Sequence, residues 1–248
     1  MKKLYEKSEL GFALAWIGAY CALQSLAKPL DARIGIDGAA SALCCAALAL
    51  MLLRFLRGNG LLERYGFCRP RVGARGFLYY IPLALLCTSN LWNGVAARLS
   101  PMALAAHIAL MLCVGLTEEA LFRGLLFRAL ERDGERRAAL ISSVTFGLGH
   151  LLNLANGSGM SLAANLFQVA AATGFGYLFV AIFRRGGSLL PCVFAHAAIN
   201  ILSAFANEAG LSAGRRAAFA LIELAIIAAY ARFLGGPGAR AANTGREA

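Results

Sequence analysis

Charge is what this chain has least of. Only 15% of its 248 residues are charged while 59% are hydrophobic, whereas soluble domains carry about a quarter charged residues. Acidic groups are scarcer than basic ones, 13 against 24, and there are three histidines. A soluble globular fold is excluded on that balance. The seven cysteines show no metal-ligand spacing and lie mostly in apolar runs, so they read as small buried hydrophobes rather than zinc ligands or disulfides. No phosphate-binding fingerprint, HExxH helix, long linker or low-complexity insert is present.

What remains is apolar sequence in lengths that suit a bilayer. A spanning helix takes about 20 predominantly apolar residues, and that window gives eight candidates, near 10–29, 35–56, 76–97, 102–130, 138–154, 162–183, 188–206 and 215–234. The expected fold is all-α, a polytopic membrane helix bundle of about eight transmembrane helices. Residues 1–234 read as one transmembrane domain with its motif core at 102–206, and 235–248, which open on Gly235-Gly236-Pro237-Gly238, as a flexible tail.

Basic residues orient the bundle. One set of loops collects Lys2, Lys3, Lys7, Arg54, Arg57, Arg64, Arg69, Arg71, Arg75, Arg128, Arg132, Arg136, Arg137, Arg184, Arg185, Arg232, Arg240 and Arg246, and the other only Lys28, Arg33, Arg98, Arg215 and Arg216. Cytoplasmic loops carry the positive excess, so both termini are expected in the cytoplasm. The same distribution explains the net charge of +11 as orientation and attraction to anionic lipid headgroups, not as a nucleic-acid face. Lys2 and Lys3 before an apolar stretch, with Ser25-Leu26-Ala27 after it, imitate a signal peptide. The run is too long for one and Glu6 and Glu9 dilute its positive start, so an uncleaved first helix is expected.

Against this apolar background stand Glu118, Glu119 and Arg123, inside the run from Met102 to Leu130. A charged group at the middle of a spanning helix costs roughly 2.5–3.5 kcal/mol, so three within two turns imply mutual pairing and a buried task. His150 ends a Phe146-Gly147-Leu148-Gly149-His150 stretch, and His196 with Asn200 forms an i, i+4 pair on one helix face. Counted from the flanking arginines at about 1.5 Å per residue, all of these fall at comparable depth, roughly 15–23 Å in. Two carboxylates, two imidazoles and a carboxamide from three helices supply a base, a group to orient water and donors for an oxyanion. Glu119 and Arg123 share a face, and Glu118 points about 100° away, free to act on water.

Glu118-Glu119-Ala120-Leu121-Phe122-Arg123 is an EExxxR motif, Phe146 to His150 an FxxxH motif and His196 to Asn200 an HxxxN motif. In that order on separate helices they resemble the CPBP intramembrane proteases, which include the type II CAAX prenyl endopeptidases and bacteriocin-processing or abortive-infection proteins. The resemblance implies an endopeptidase acting on a membrane-associated, hydrophobic or prenylated peptide or protein. It also implies roles: Glu118 as general base, His150 holding the attacking water, His196 and Asn200 stabilising the oxyanion, Glu119 and Arg123 supporting the site. A glutamate-activated water without metal is expected, zinc on Glu118, His150 and His196 being the alternative. The cavity is expected between the fourth, fifth and seventh helices, opening toward the cytoplasmic half of the bilayer, in what reads as a bacterial cytoplasmic membrane.

Other intramembrane polar residues carry less. His107 reads as an interfacial or packing histidine, Glu223 as an inward-facing, hydrogen-bonded carboxyl, and Asn153, Asn165 and Gln168 as helix-end or packing polars. Gly147, Gly149, Gly174 and Gly176 read as close helix packing. A proton- or ion-coupled transporter would use similar groups, but it usually shows repeated halves, and the EExxxR segment has no second copy here. A non-catalytic membrane scaffold would have no chemical use for so many costly buried groups.

Overall fold

In hydrocarbon every backbone group has to be satisfied within the protein, and the chain meets that demand with helices. A computed structural model describes residues 1–71, 80–157 and 159–235. Their helices are α1 (Lys2–Lys7), α2 (Glu9–Ile34), α3 (Ala39–Gly58), α4 (Ile81–Cys87), α5 (from Pro101), α6 (Glu135–Gly149), α7 (Leu162–Gly186), α8 (Leu190–Leu202) and α9 (Ala213–Leu234). The fold is all-α. Six of the helices are long and apolar enough to cross a membrane, and a shorter apolar one covers Leu190–Phe205.

Local signals explain where these helices begin and end. Ser8, Ser100, Ser161 and Ser212 cap α2, α5, α7 and α9, each side chain accepting from a backbone N–H of the first turn. For α3 the cap comes from the preceding helix. Buried Asp31 accepts from the backbone N–H groups of Ala40 and Ser41 at 2.6 and 3.2 Å and from the Ser41 hydroxyl at 2.5 Å.

The segment 76–97 does not form the spanning helix expected of it. Residues 76–79 lie outside the described residues, and from there α4 gives one seven-residue helix, followed by a 3₁₀ turn at Ser89–Leu91. Polar side chains divert the backbone: the Asn90 side chain donates to the carbonyl of Ile199 and that of Asn93 to the carbonyl of Asn207, both at 2.7 Å. Val95 then forms a bridge with Ala206. The expected flexible tail is likewise outside the described residues, apart from Gly235.

Helix α5 is the axis of the bundle. It runs from Pro101 to Asp133, 33 residues or roughly 50 Å, packed on α3 and α8, and it winds as a π-helix over Ala120–Leu126. That π segment contacts α2 and α6. One apolar cluster, with Phe12, Trp16, Leu48, Leu121 and Phe146, fills the side of α2 and α3. Another, with Leu86, Phe127, Phe179, Phe183 and Ile227, fills the side of α4, α7, α8 and α9.

Two glycines set the helix spacing. A Cβ on Gly115 of α5 would stand 2.9 Å from the backbone nitrogen of Ala197, and one on Gly147 of α6 would stand 2.8 Å from the carbonyl of Val169. Backbones at that range admit no side chain, as in other small-residue helix interfaces. Gly176 meets α6 in the same way, with the Ser143 backbone 3.0 Å from where its Cβ would stand, whereas Gly174 meets only side chains of α9 at 3.3 Å or more and, among the described residues, nothing lies within 4 Å of a Cβ on Gly149, so the expected close packing is not realised at Gly149.

Candidate active site

Helix α5 carries Glu118 and Glu119 at the end of its α-helical part, immediately before the π turn. Such turns occur mostly as single-turn insertions, frequently at functional sites. Because Gly115 seats α8 against α5, His196 arrives between the two carboxylates. Its Nδ1 is 2.8 Å from Glu119 Oε1 and its Nε2 is 3.4 Å from Glu118 Oε2.

Glu119 and Arg123 are both fully buried, and Arg123 Nη1 donates to Glu119 Oε1 at 3.0 Å. Among the described residues, neither Glu119 Oε2 nor Arg123 Nε and Nη2 finds a hydrogen-bond partner. Aromatic faces compensate the cation: the guanidinium lies 4.1 Å from the ring centre of Phe146 and 5.5 Å from that of Phe179. Gly176 leaves room for it, since a Cβ there would stand 3.0 Å from Arg123 Nη2. The pairing expected from the i, i+4 spacing is present.

Glu118 faces differently. It borders a cavity of about 560 Å³ that His150, His196, Asn200 and Glu223 also line, and its side chain keeps 14% of its exposure. A partner that sequence reasoning missed fixes its orientation: Tyr20, on α2, donates its hydroxyl to Glu118 Oε1 at 2.6 Å. A phenol deep in a spanning helix needs a hydrogen-bond partner, and that was the available signal.

His150 caps α6 with Nδ1 3.1 Å from the Phe146 carbonyl, and its own carbonyl accepts from the Asn165 side chain at 3.0 Å. Asn153 donates to Gln168 at 2.9 Å, so these polar residues tie the end of α6 to α7. His107 is a packing histidine, its Nε2 3.0 Å from the Asn200 carbonyl. The structure therefore joins Glu118, Glu119, Arg123 and His196 directly, and brings His150 and Asn200 to the same cavity.

Two expectations change. The cavity is walled by α2 as well as by α5, α6 and α8, and it extends from Glu118 past Gln24, Ser25 and Asn156 to the exposed Lys28. That is the arginine-poor end. Toward the arginine-rich end, Leu121, Leu125, Leu126 and Phe127 are buried and close it, so the cavity does not open where the arginine count led us to expect. As for the zinc alternative, among the described residues no three His, Cys, Asp or Glu side chains gather as a metal-holding group. Both nitrogens of His196 already face carboxylates.

Geometry of this kind suits proton transfer from a water to a carboxylate. A carboxylate oriented by a phenol and an imidazole borders a cavity, with further donors on its wall. No curated protein and no solved structure matches the chain. Residues 100–202 match the family model described as "Type II CAAX prenyl endopeptidase Rce1-like", and they contain Glu118, Glu119, Arg123, His150, His196 and Asn200. The segment that carries the site of this all-helical membrane protein is thus similar to the Rce1-like type II CAAX prenyl endopeptidases.

Proposed function

We propose that the protein is an intramembrane endopeptidase in which Glu118 activates water without a metal. The observation that carries this reading is the asymmetry between the two glutamates. Glu119 is buried and committed to Arg123 and His196, whereas Glu118 borders the cavity between Tyr20 and His196. One carboxylate holds the site and the other does chemistry.

In the proposed sequence Glu118 takes a proton from a water that His150 helps to hold, and the resulting hydroxide attacks the scissile carbonyl. The oxyanion is stabilised by the Asn200 carboxamide and by a ring N–H of His196. Glu118 then returns its proton to the leaving amine as the C–N bond breaks. His196 is engaged on both nitrogens, which supports a role as donor over one as metal ligand. The substrate is a peptide or protein segment close to the membrane, prenylated or otherwise hydrophobic; no nucleic acid enters the scheme.

The deciding experiment is cleavage of prenylated CAAX peptides and unprenylated leader peptides by detergent-purified protein, with and without a strong chelator. Wild type cleaves at least one peptide and the chelator leaves the rate unchanged, while Glu118→Gln and His150→Ala abolish turnover and remain in the membrane fraction. Retained turnover in either variant removes the mechanism. Activity lost to chelator and restored by zinc removes its metal-free form.

A further inference from the structure

From the direction of the cavity we infer that the substrate enters from the extracytoplasmic side of the membrane. Two independent observations meet here. From Glu118 most of the lining runs one way: Tyr20 to Lys28 on α2, Val114 and Leu110 on α5, Phe146 and Gly149 on α6 and then Asn153 and Asn156, and His196 and Asn200 on α8 and then Ser203, while on α5 Phe122 reaches one turn the other way. That end carries only Lys28, Arg33, Arg98, Arg215 and Arg216, while the loops at the closed end hold the great majority of the arginines. A basic excess of that size places the closed end in the cytoplasm.

The lining changes character along the way. Around Glu118 it is apolar and aromatic, with Val114, Phe122, Phe146 and Phe179, and toward Lys28 it becomes polar, with Gln24, Ser25, Asn153 and Asn156. A cavity graded in this manner accepts a chain that arrives extended from water with a hydrophobic end leading. The substrate class this defines is the extracytoplasmic, membrane-proximal segment of a translocated or membrane-anchored polypeptide. A lipidated tail on the cytoplasmic face meets the buried layer from Leu121 to Phe127 instead. The identity of the incoming chain as a substrate rests on the proteolytic reading; the side of access does not.

The test is labelling of the full-length protein in spheroplasts with membrane-impermeant thiol reagents, read by peptide mass mapping so that the seven native cysteines are resolved from engineered ones. Asp37→Cys lies at the open end, where Asp37 is 88% exposed, and Glu63→Cys at the closed end, where Glu63 is 78% exposed. Native Cys21 lines the cavity. The expected result is a maleimide adduct at Asp37→Cys in intact spheroplasts, one at Glu63→Cys only after permeabilisation, and modification of Cys21 by a small charged methanethiosulfonate before permeabilisation. The opposite pattern for the two variants overturns the inference, and so does a Cys21 that resists the reagent until the membrane is opened. None of these readouts needs turnover, so a failed protease assay and a failed access assay are told apart.

Discussion

Tyr20 donates a 2.6 Å hydrogen bond to Glu118 from 98 positions away in the chain, out of a helix that carries no motif residue. This bond fixes one carboxylate oxygen and leaves the cavity-facing carboxylate in a single orientation. A hydrogen bond to a charged group contributes about 1.5–3 kcal/mol. Tyr20→Phe is therefore expected to lower the melting temperature by several degrees and, because Glu118 loses its fixed orientation, to lower kcat by roughly 10- to 100-fold with KM little changed. An unaltered kcat would show that Glu118 needs no such support.

Removal of Arg123 strands a carboxylate in a dry site. Arg123→Ala is expected to destabilise the protein by about 3–5 kcal/mol, read as a large drop in thermal midpoint in detergent. Pairing it with Glu119→Gln should recover part of the loss, because the uncompensated charge goes with it. A double variant no more stable than Arg123→Ala alone would refute the pairing.

A single methyl group separates stability from geometry at Gly115. Its Cβ would meet the backbone of Ala197 at 2.9 Å, next to His196, and the strain is relieved only by moving α8. Gly115→Ala is expected to cost about 1–3 kcal/mol and to reduce turnover far more than that loss explains, since His196 is displaced from between the glutamates. Cleavage assayed below the variant's melting range gives the answer, and wild-type turnover there contradicts the assignment.

At the arginine-rich end, buried Glu9 accepts from Arg64 at 2.8 Å, from Arg132 at 2.9 Å and from the hydroxyl of Tyr65. Burial, and then the hydrogen bond to Glu9, push the Tyr65 phenol well above its usual value. A pKa raised on folding means that the unfolded chain ionises first. The stabilisation is fully present below about pH 10, the value for a free tyrosine, and falls as the pH climbs above it. Melting temperature should therefore decline above about pH 10, less steeply in Tyr65→Phe; identical slopes would exclude this residue.

Helix positions were legible where apolar length alone decides, as in α2, α3, α7 and α9. The Glu119–Arg123 pair followed from its i, i+4 spacing, and the depth estimate brought His150, His196 and Asn200 to one cavity. Residues 80–97 were misread because their mean hydropathy resembles that of a spanning helix, while the side chains of Asn90 and Asn93 satisfy carbonyls of other segments, which a window average cannot register. Tyr20 was missed because a lone phenol on an apolar helix reveals its partner only once the helices are packed. The direction of the cavity depends on which layer the side chains of the π segment fill, and no motif encodes that.

The π turn has a consequence for any engineering of α5. A helical wheel drawn straight through Ala120–Leu126 puts the residues beyond it out of phase by about one position, or roughly 100°, so designs at Arg128 or Glu131 made on an ideal helix would aim at the wrong neighbours. Deleting one residue inside that turn, Arg123 apart, is the corresponding lesion: it takes out the extra residue and restores α-helical phase, so the residues beyond keep their faces while the wide turn next to Glu119 is lost.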